Sequence, residues 1–330
     1  GTWQGSTGQS SCDDADAGYY VDSTASTSQT ACATGTYQAS TGQTSCDDAD
    51  AGYYVDTAGS PSQTACAAGT YNPDTASSSS AACLDASPGH YVGSTGQSSQ
   101  TECALGTWQS IGGQSSCNDA QPGHYVDSTG MTYSPSCPAG TYNPETASTS
   151  SAACLDSDPG HYVEFSAQSS QTECGAGTWN NESGQSSCNP APLGHYVDST
   201  GATSPSPCTV GNYQSLQGQI GCEPAGIGHY VDTSAAHSQT ECAEGTYQDS
   251  TGQTSCDDSD AGHYVDSTGQ SSQTACAIGT YQASTGQSSC DDADAGYYVE
   301  DDSWTEKIYD SHKIDTRYHH TCAILDDGSV

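Results

Sequence analysis

Apolar positions recur along the chain in short runs that are separated by long polar stretches. Two kinds of run take turns along the chain: G-T-Y-Q, as at residues 35–38, and G-Y-Y-V-D, as at residues 52–56. Turn sequences such as S-T-G-Q follow them. Short apolar runs between Gly- and Ser-rich turns are typical of β-strands. No stretch has the 3.6-residue period of a helix. The pattern therefore predicts a mostly β or irregular chain of paired short strands closed by turns.

The runs belong to a tandem repeat of about 34 residues, or about 37 residues where an insertion separates the aromatic residue from the second cysteine. Each repeat contains two similar halves about 17 residues apart. A closed half-unit, such as residues 32–46, has Cys at its start position and at its end position. An open half-unit, such as residues 49–63, has Ala or Ser at the start and mostly Gln at the end. The open half-units start at Ala15, Ala49, Ala86, Ala120, Ser157, Ala191, Ala225, Ser259 and Ala293, and the end glutamines are Gln29, Gln63, Gln100, Gln171, Gln239 and Gln273.

The paired loss of both cysteines in the open half-units predicts that the two positions form one bridge, since a single loss would leave a reactive thiol. The predicted disulfides are Cys32–Cys46, Cys66–Cys83, Cys103–Cys117, Cys137–Cys154, Cys174–Cys188, Cys208–Cys222, Cys242–Cys256 and Cys276–Cys290. A second scheme stays open as an alternative, because the separation from each end cysteine to the next start cysteine never varies. It would join Cys12 to Cys32. In the first scheme the partner of Cys12 is expected just before residue 1, and Cys322 belongs to different sequence.

The composition explains why disulfide bonds are needed. The chain has 18 Cys but one Phe, one Met and 32% hydrophobic residues, which is too little for an ordinary large core. Cysteines in such a chain are expected to replace the missing core in an oxidising compartment. No C-x2-C pair is present, which argues against zinc sites.

Charge excludes one class of partner. The 40 Asp and Glu face three basic residues, Lys307, Lys313 and Arg317, all near the end of the sequence. Such a surface repels nucleic acid and anionic lipid. No apolar run is long enough to span a membrane, so a leader and any anchor are expected outside this stretch.

The run from Cys32 through Gly35 and Tyr37 to Cys46 resembles the cysteine-rich repeats of ephrin-receptor-like and tumour-necrosis-factor-receptor-like ectodomains. The resemblance covers residues 1–299, where each C-x2-C of the family is reduced to one Cys. It implies an extracellular module in which the first cysteine of a half-unit bonds to the last, as Cys32 would to Cys46, in favour of the first pairing scheme. The array is also similar in style to very large surface proteins of marine archaea.

The end of the sequence differs from the repeats. Residues 318–330 read Y-H-H-T-C-A-I-L-D-D-G-S-V and resemble the opening of a blade in propellers of the regulator-of-chromosome-condensation type. The expected organisation is a small, disulfide-rich array over residues 1–299 forming an elongated rod, a linker over residues 300–317 and the start of a β-propeller repeat over residues 318–330.

Two aromatic positions recur and are open to a functional or a structural interpretation. The first, the ring position, holds Tyr20, Tyr37, Tyr54, Tyr71, Tyr91, Trp108, Tyr125, Tyr142, Tyr162, Trp179, Tyr196, Tyr213, Tyr230, Tyr247, Tyr264, Tyr281 and Tyr298. These rings are either a carbohydrate-binding strip or, as we favour, covers over the disulfides and backbone. The residue before the ring is His90, His124, His161, His195, His229 or His263 in six units and Tyr19, Tyr53 or Tyr297 in others. Exchange with Tyr favours packing over metal binding.

Carboxylates precede a glycine turn in several units, as at residues 13–18 and 257–262. Asp14, Asp16, Asp258 and Asp260 are candidate calcium ligands, although other links such as residues 188–194 lack these acids. Calcium is the only cofactor considered. Asn181 begins the one N-glycosylation sequon. No nucleophile with a base, no metal triad and no phosphate loop occurs, so no catalytic residue and no enzyme activity are predicted.

The sequence favours an extracellular structural stalk, spacer or fibre segment of a large cell-surface protein. The alternative is an adhesin or receptor-like ectodomain that binds glycans or proteins, with a specific site in divergent units such as the one starting at Cys208. Self-association into a fibre, cell-surface glycans and proteins are the partners considered.

Overall fold

The computed structural model describes residues 1–294. The chain divides into two compact units, one with Gly1–Thr172 and Ser183–Ser187, the other with Glu173–Glu182 and the chain from Cys188 onward. The predicted linker and propeller start, the three basic residues and Cys322 lie outside the described residues.

The described residues confirm the predicted fold class, because they form 32 strands of two residues each, paired into 16 two-stranded antiparallel hairpins. The strands up to residue 156 are β1 Thr2–Trp3, β2 Asp13–Asp14, β3 Tyr19–Tyr20, β4 Thr30–Ala31, β5 Thr36–Tyr37, β6 Asp47–Asp48, β7 Tyr53–Tyr54, β8 Thr64–Ala65, β9 Thr70–Tyr71, β10 Leu84–Asp85, β11 His90–Tyr91, β12 Thr101–Glu102, β13 Thr107–Trp108, β14 Asn118–Asp119, β15 Thr141–Tyr142 and β16 Leu155–Asp156. The remainder are β17 His161–Tyr162, β18 Thr172–Glu173, β19 Thr178–Trp179, β20 Asn189–Pro190, β21 His195–Tyr196, β22 Ser206–Pro207, β23 Asn212–Tyr213, β24 Glu223–Pro224, β25 His229–Tyr230, β26 Thr240–Glu241, β27 Thr246–Tyr247, β28 Asp257–Asp258, β29 His263–Tyr264, β30 Thr274–Ala275, β31 Thr280–Tyr281 and β32 Asp291–Asp292.

Each odd-numbered strand pairs with the even-numbered strand that follows it. In β5 and β6, for example, Thr36 faces Asp48 and Tyr37 faces Asp47. Between β14 and β15, where Pro135 replaces a strand residue, a single bridge from His124 to Ser136 takes the place of a hairpin. Apart from the half-unit with this single bridge, each described half-unit is therefore one small hairpin whose first strand ends at the ring position.

Two short 3-10 helices, Ser80–Ala82 and Ser151–Ala153, occur in the two closed half-units that have the insertion. The hydroxyl of Ser79 accepts a hydrogen bond from the Ala81 N–H and caps the first of them. The insertion thus becomes one extra turn, which lengthens the loop without disturbing the hairpin.

The backbone also joins each half-unit to its neighbours. In the first unit, the N–H of the start residue Cys32 donates to Gly18 O in the preceding half-unit at 2.9 Å, and Cys32 O accepts from the Gly59 N–H of the next at 2.8 Å. Gly35, the first glycine of the same half-unit, donates to Val55 O at 2.8 Å. These bonds tie each start residue to hairpins on both sides.

The same bonds recur in the second unit. The Cys208 N–H donates to Gly194 O, Cys208 O accepts from the Ala235 N–H, and the Gly211 N–H donates to Val231 O, all at 2.8 Å. Within each unit, consecutive half-units therefore share backbone hydrogen bonds.

The first glycine of a half-unit also approaches the half-unit after the next one. The residue that it approaches lies in a loop, and we call its place the tip position. A Cβ on Gly35 would lie 2.4 Å from Ala76 O, and a Cβ on Gly211 would lie 2.2 Å from Gly252 O. No side chain fits at such distances, and φ is also positive there, at 86° for Gly35 and 83° for Gly211. The tip position has positive φ as well but admits Ala, as Ala76 shows.

The core consists of two rows of small side chains. One row is the start position, and the other is the inner position directly after the ring, which holds Val in open half-units and Gln or Asn in closed ones. The buried inner residues are Val21, Gln38, Val55, Asn72, Val92, Gln109, Val126, Asn143, Val163, Asn180, Val197, Gln214, Val231, Gln248, Val265 and Gln282. Because these side chains bury little apolar area, backbone hydrogen bonds between half-units must contribute much of the stability of the array.

We predict that Gly211→Ala is far more damaging than Gly201→Ala. The first places a Cβ 2.2 Å from a backbone oxygen, whereas Gly201 is a tip residue whose Cβ would meet only the Glu173 side chain at 3.9 Å. Both have positive φ, which costs Ala about 1–2 kcal/mol, and the overlap at Gly211 adds at least about 1–3 kcal/mol.

Hydrogen exchange measured by mass spectrometry checks this difference. Gly211→Ala should remove amide protection in the half-units around residues 194–252, and Gly201→Ala should leave most of it. Equal loss of protection in the two variants would contradict the close approach.

Candidate functional site

The closed half-unit is a covalent ring. Residues 1–294 contain eight disulfides: Cys32–Cys46, Cys66–Cys83, Cys103–Cys117, Cys137–Cys154, Cys174–Cys188, Cys208–Cys222, Cys242–Cys256 and Cys276–Cys290, each 14 or 17 residues apart. Their Cα–Cα distances of 5.5–5.8 Å are ordinary for a disulfide. The bridges are local to one half-unit, and within the described chain none joins the end of one repeat to the start of the next.

A buried amide organises the loop inside each ring. In the shorter rings, Gln38 Nε2 donates to Ser45 O at 3.0 Å, and Gln38 Oε1 accepts from the Ser40 N–H at 3.1 Å. In the longer ring, Asn72 Nδ2 donates to Ser77 Oγ and also to Tyr53 O of the preceding half-unit, both at 2.9 Å. The side-chain amide therefore provides hydrogen-bond partners for polar groups of the loop that are not paired with a strand.

The open half-unit replaces the disulfide with a hydrogen-bonded clamp. Gln63 Oε1 accepts from the Asp50 N–H at 2.7 Å, while Gln63 Nε2 donates to Asp50 Oδ2 at 2.6 Å. Gln29 binds Asp16 in the same way, and Gln273 binds Asp260. In the sequence these glutamines were interpreted only as substitutes for Cys. The constant 13-residue spacing of Gln and Asp was the signal that indicates their pairing.

The ring-position aromatics are mostly half-buried along the described hairpins. Burial raises the pKa of the Tyr37 and Tyr247 phenols above its usual value, and nearby Asp residues raise it further. In Trp108 and Trp179, as in Trp3, the indole Nε1 is buried and has no hydrogen-bond partner within the described chain. The half-buried rings fit the predicted packing role, and the predicted carbohydrate strip stays untested.

Five of the six histidines before the ring direct Nδ1 toward a carbonyl of their own turn, whereas the Nδ1 of His263 is buried without a hydrogen-bond partner among the described residues. The Nδ1 of His90 lies 3.3 Å from Pro88 O, and His90 Nε2 lies 4.0 Å from Glu102 Oε1 on the paired strand. Glu102 Oε2 in turn accepts from Thr129 Oγ1 at 3.0 Å. The same His–Glu distance recurs between His229 and Glu241. An exposed pair of this kind contributes little stability, and the His–Glu spacing that predicts it was not recognised in the sequence.

The four candidate calcium ligands are spread over the hairpins. Asp16 and Asp260 accept hydrogen bonds from clamp glutamines, whereas Asp14 lies in β2 and Asp258 in β28. Within residues 1–294, no group of three or more His, Cys, Asp and Glu side chains is placed to hold a metal ion. Calcium binding stays a prediction, with two of its four carboxylates engaged elsewhere.

Two single residues complete the set of candidates. Asn181, the predicted glycosylation site, is exposed in the loop of the closed half-unit that begins at Cys174. Cys12 is an exposed free cysteine. The predicted sites are thus distributed over many hairpins, and none of them converge.

Comparison with known families adds one match. Residues 160–208 match the family described as tyrosine-protein kinase ephrin type A/B receptor-like. The matched stretch contains the Cys174–Cys188 ring and the open segments on both sides of it. No curated protein matches the chain significantly. Among the described residues, no helix is long and apolar enough to cross a membrane.

We predict that non-reducing peptide mapping finds only bridges within closed half-units. Digestion at acidic and aromatic residues should release a peptide pair that contains Cys66 and Cys83, because Asp74 and Tyr71 lie between them in sequence. Detection of Cys83 joined to Cys103, the start cysteine of the next repeat, would contradict the observed pairing.

We also predict that Gln63→Ala destabilises its half-unit by about 0.5–1.5 kcal/mol, because the exposed Asp50 N–H exchanges its side-chain acceptor for water. The double variant Ala49→Cys/Gln63→Cys should form a ninth ring, since the two positions correspond to Cys32 and Cys46.

Stability is best measured by hydrogen exchange around residues 49–66, with Gln253→Ala as the control. The Gln253 side-chain amide donates only to Thr251 O, so its loss should have little effect. Equal effects of Gln63→Ala and Gln253→Ala would refute the role of the clamp.

Proposed function

We propose that the array is a non-catalytic stalk or spacer that holds another part of a cell-surface protein at a distance. The disulfide repeats and the ephrin-receptor-like stretch at residues 160–208 indicate an extracellular receptor-like or structural ectodomain. The spacer role is the narrower statement that we add to this class.

The recurring junction is the observation that supports the proposal. The start residue bonds to the previous half-unit and to the next in both units, as Cys32 and Cys208 do. When each repeat contacts only near neighbours, stability is nearly a sum of repeat and interface contributions. Such an array gains length with every added repeat and needs no new core.

Uniformity along the chain favours a spacer over a receptor as the main role. A binding or catalytic site is a local constellation of side chains, whereas the rings recur in the closed half-units, the glutamine contacts recur in most open half-units, and the close glycine approaches recur along the described chain. The residues that are constant, such as the first glycine, are constant for backbone reasons. They set the geometry of the junction and present no reactive group.

Charge supports the same role. Residues 1–299 contain no Lys or Arg, so the carboxylates of this segment repel one another without compensation by basic side chains. Self-repulsion disfavours compact arrangements of a chain. A spacer with this composition is expected to stay extended and soluble between its two ends.

We predict that the maximum dimension grows linearly with the number of repeats. One full repeat, residues 242–275, can be deleted or duplicated in register, because Cys276 is equivalent to Cys242. Two added copies should lengthen an extended array by about a fifth, whereas a globule of that size would grow by only about 7%.

Small-angle scattering on the deletion and duplication series, at low concentration, measures this dimension. Equal increments for each added copy support the spacer. A dimension that scales as a globule would overturn it.

A further inference from the structure

One segment of the acidic chain is depleted of carboxylates and exposes apolar side chains instead. Residues 188–231 contain only two of the 40 Asp and Glu, namely Asp198 and Glu223. Five large apolar residues in the same segment are between 43% and 63% exposed: Leu193, Val210, Leu216, Ile220 and Ile227. We call these five residues the apolar row.

The backbone keeps these five residues close together. Leu193 precedes Gly194, whose O accepts from the Cys208 N–H at 2.8 Å, and Val210 lies shortly after Cys208. The next pair of half-units is joined in the same way. Gly211 O accepts from the Ala225 N–H at 2.8 Å, and Ile227 lies two residues after Ala225. Leu193, Val210 and Ile227 therefore occupy equivalent places in three consecutive half-units of the second unit.

The other two members lie beside the same junction. Leu216 and Ile220 flank Gly218, whose N–H donates at 2.9 Å to the O of Ala191, a near neighbour of Leu193 in sequence. The Val197 N–H donates to Gln219 O at 2.9 Å and fixes the loop further. Hence the loop that contains Leu216 and Ile220 is bonded through its backbone to the half-unit that contains Leu193.

Isolated exposed apolar residues are normal, but a contiguous group marks an interaction surface. Elsewhere in the described chain fewer exposed apolar residues share one stretch. Leu84 precedes Asp85, Leu155 precedes Asp156 and Phe165 follows Glu164, whereas Leu105 with Ile111, Tyr133, and Ile278 with Tyr281 lie in shorter stretches without acids. The apolar row differs from these because five such residues fall within three consecutive half-units that contain only two acids.

We propose that the apolar row is a docking surface for a second copy of this chain. A basic partner would be attracted by carboxylates around its site, and a neutral partner would not require their absence. Depletion of acids is needed when the partner is itself strongly negative, because like charges brought face to face cost several kcal/mol. This chain, with a net charge of −37, is such a partner.

The spacing of the row fits a two-fold arrangement. Val210 lies midway in sequence between Leu193 and Ile227. Two antiparallel copies would bring Leu193 of one opposite Ile227 of the other, with Val210 near the axis, as the self-complementary surface of a symmetric dimer requires. Five apolar residues are fewer than a stable interface usually buries, so we expect a weak, reversible dimer.

Sedimentation over a range of protein concentrations tests the proposal, with Cys12→Ser/Cys322→Ser as the background to prevent cross-linking through cysteines outside the eight disulfides. The chain should dimerise reversibly, and more strongly in about 1 M salt, where charges are screened beyond about 3 Å. Val210→Asp should weaken dimerisation by about tenfold or more, because it puts two carboxylates at the axis.

Leu105→Asp is the matched control. Leu105 is the third residue of a closed half-unit, as Val210 is, and both are 48% exposed, but Glu102 lies beside Leu105. The Leu105→Asp variant should leave dimerisation unchanged. In the same background, oxidation should cross-link Val210→Cys to itself far more than Leu105→Cys, because a disulfide needs Cα atoms within about 7 Å.

Three results would overturn the proposal: a monomer at all concentrations and salt levels, equal effects of the two Asp variants, or equal cross-linking of the two Cys variants. A monomer that binds an apolar fluorescent probe at Val210 would assign the surface to a different partner. The spacer role is tested separately, because a monomeric array can still lengthen with repeat number.

Discussion

The fold depends on the two backbone groups of each start residue. At Cys32 the N–H bonds to Gly18 of the preceding half-unit, and the C=O accepts from Gly59 of the next. A buried peptide group must be paired, so this residue holds its neighbours in register without a large side chain. The start residue is Cys, Ala or Ser throughout, and from Ala15 to Ser259 it is fully buried, so that only a small side chain fits.

Around this point the chain alternates between two solutions to the lack of a core. A closed half-unit has the apolar sulfurs of its ring and tolerates a buried amide, such as Gln38, which satisfies the loop. An open half-unit has no sulfur and places Val55 at the same position. It then closes its loop with the Gln63–Asp50 clamp. Each ring of this size contributes about 3 kcal/mol by the chain-entropy estimate, while a clamp contributes less. The covalent half-units therefore stabilise their weaker neighbours through the shared backbone bonds.

Side-chain patterns predicted the hairpins and their period, because turn glycines and ring aromatics such as Tyr37 repeat visibly in the sequence. The junctions were not predicted, because hydrogen bonds between backbone groups leave no trace in side-chain identity. The one signal was Gly35 and its equivalents, whose constancy reflects a carbonyl 2.4 Å from a hypothetical Cβ as well as a positive φ. His90 and Glu102 were interpreted separately, although their pairing follows from a hairpin register that the sequence alone did not fix.

A strongly acidic array can serve as a spacer and still associate, provided that the two properties lie in different segments. Carboxylates on most half-units repel those of another copy once the two approach to within about a Debye length, which is about 8 Å at physiological ionic strength. Close contact is then permitted only where carboxylates are sparse, and residues 188–231 meet that condition. The acids elsewhere thus select the register of contact, since sliding one copy by one repeat would place its acidic links, such as Asp257 and Asp258, on the apolar row of the partner. Specificity arises in this way from the charge that surrounds the row, and affinity from the row itself.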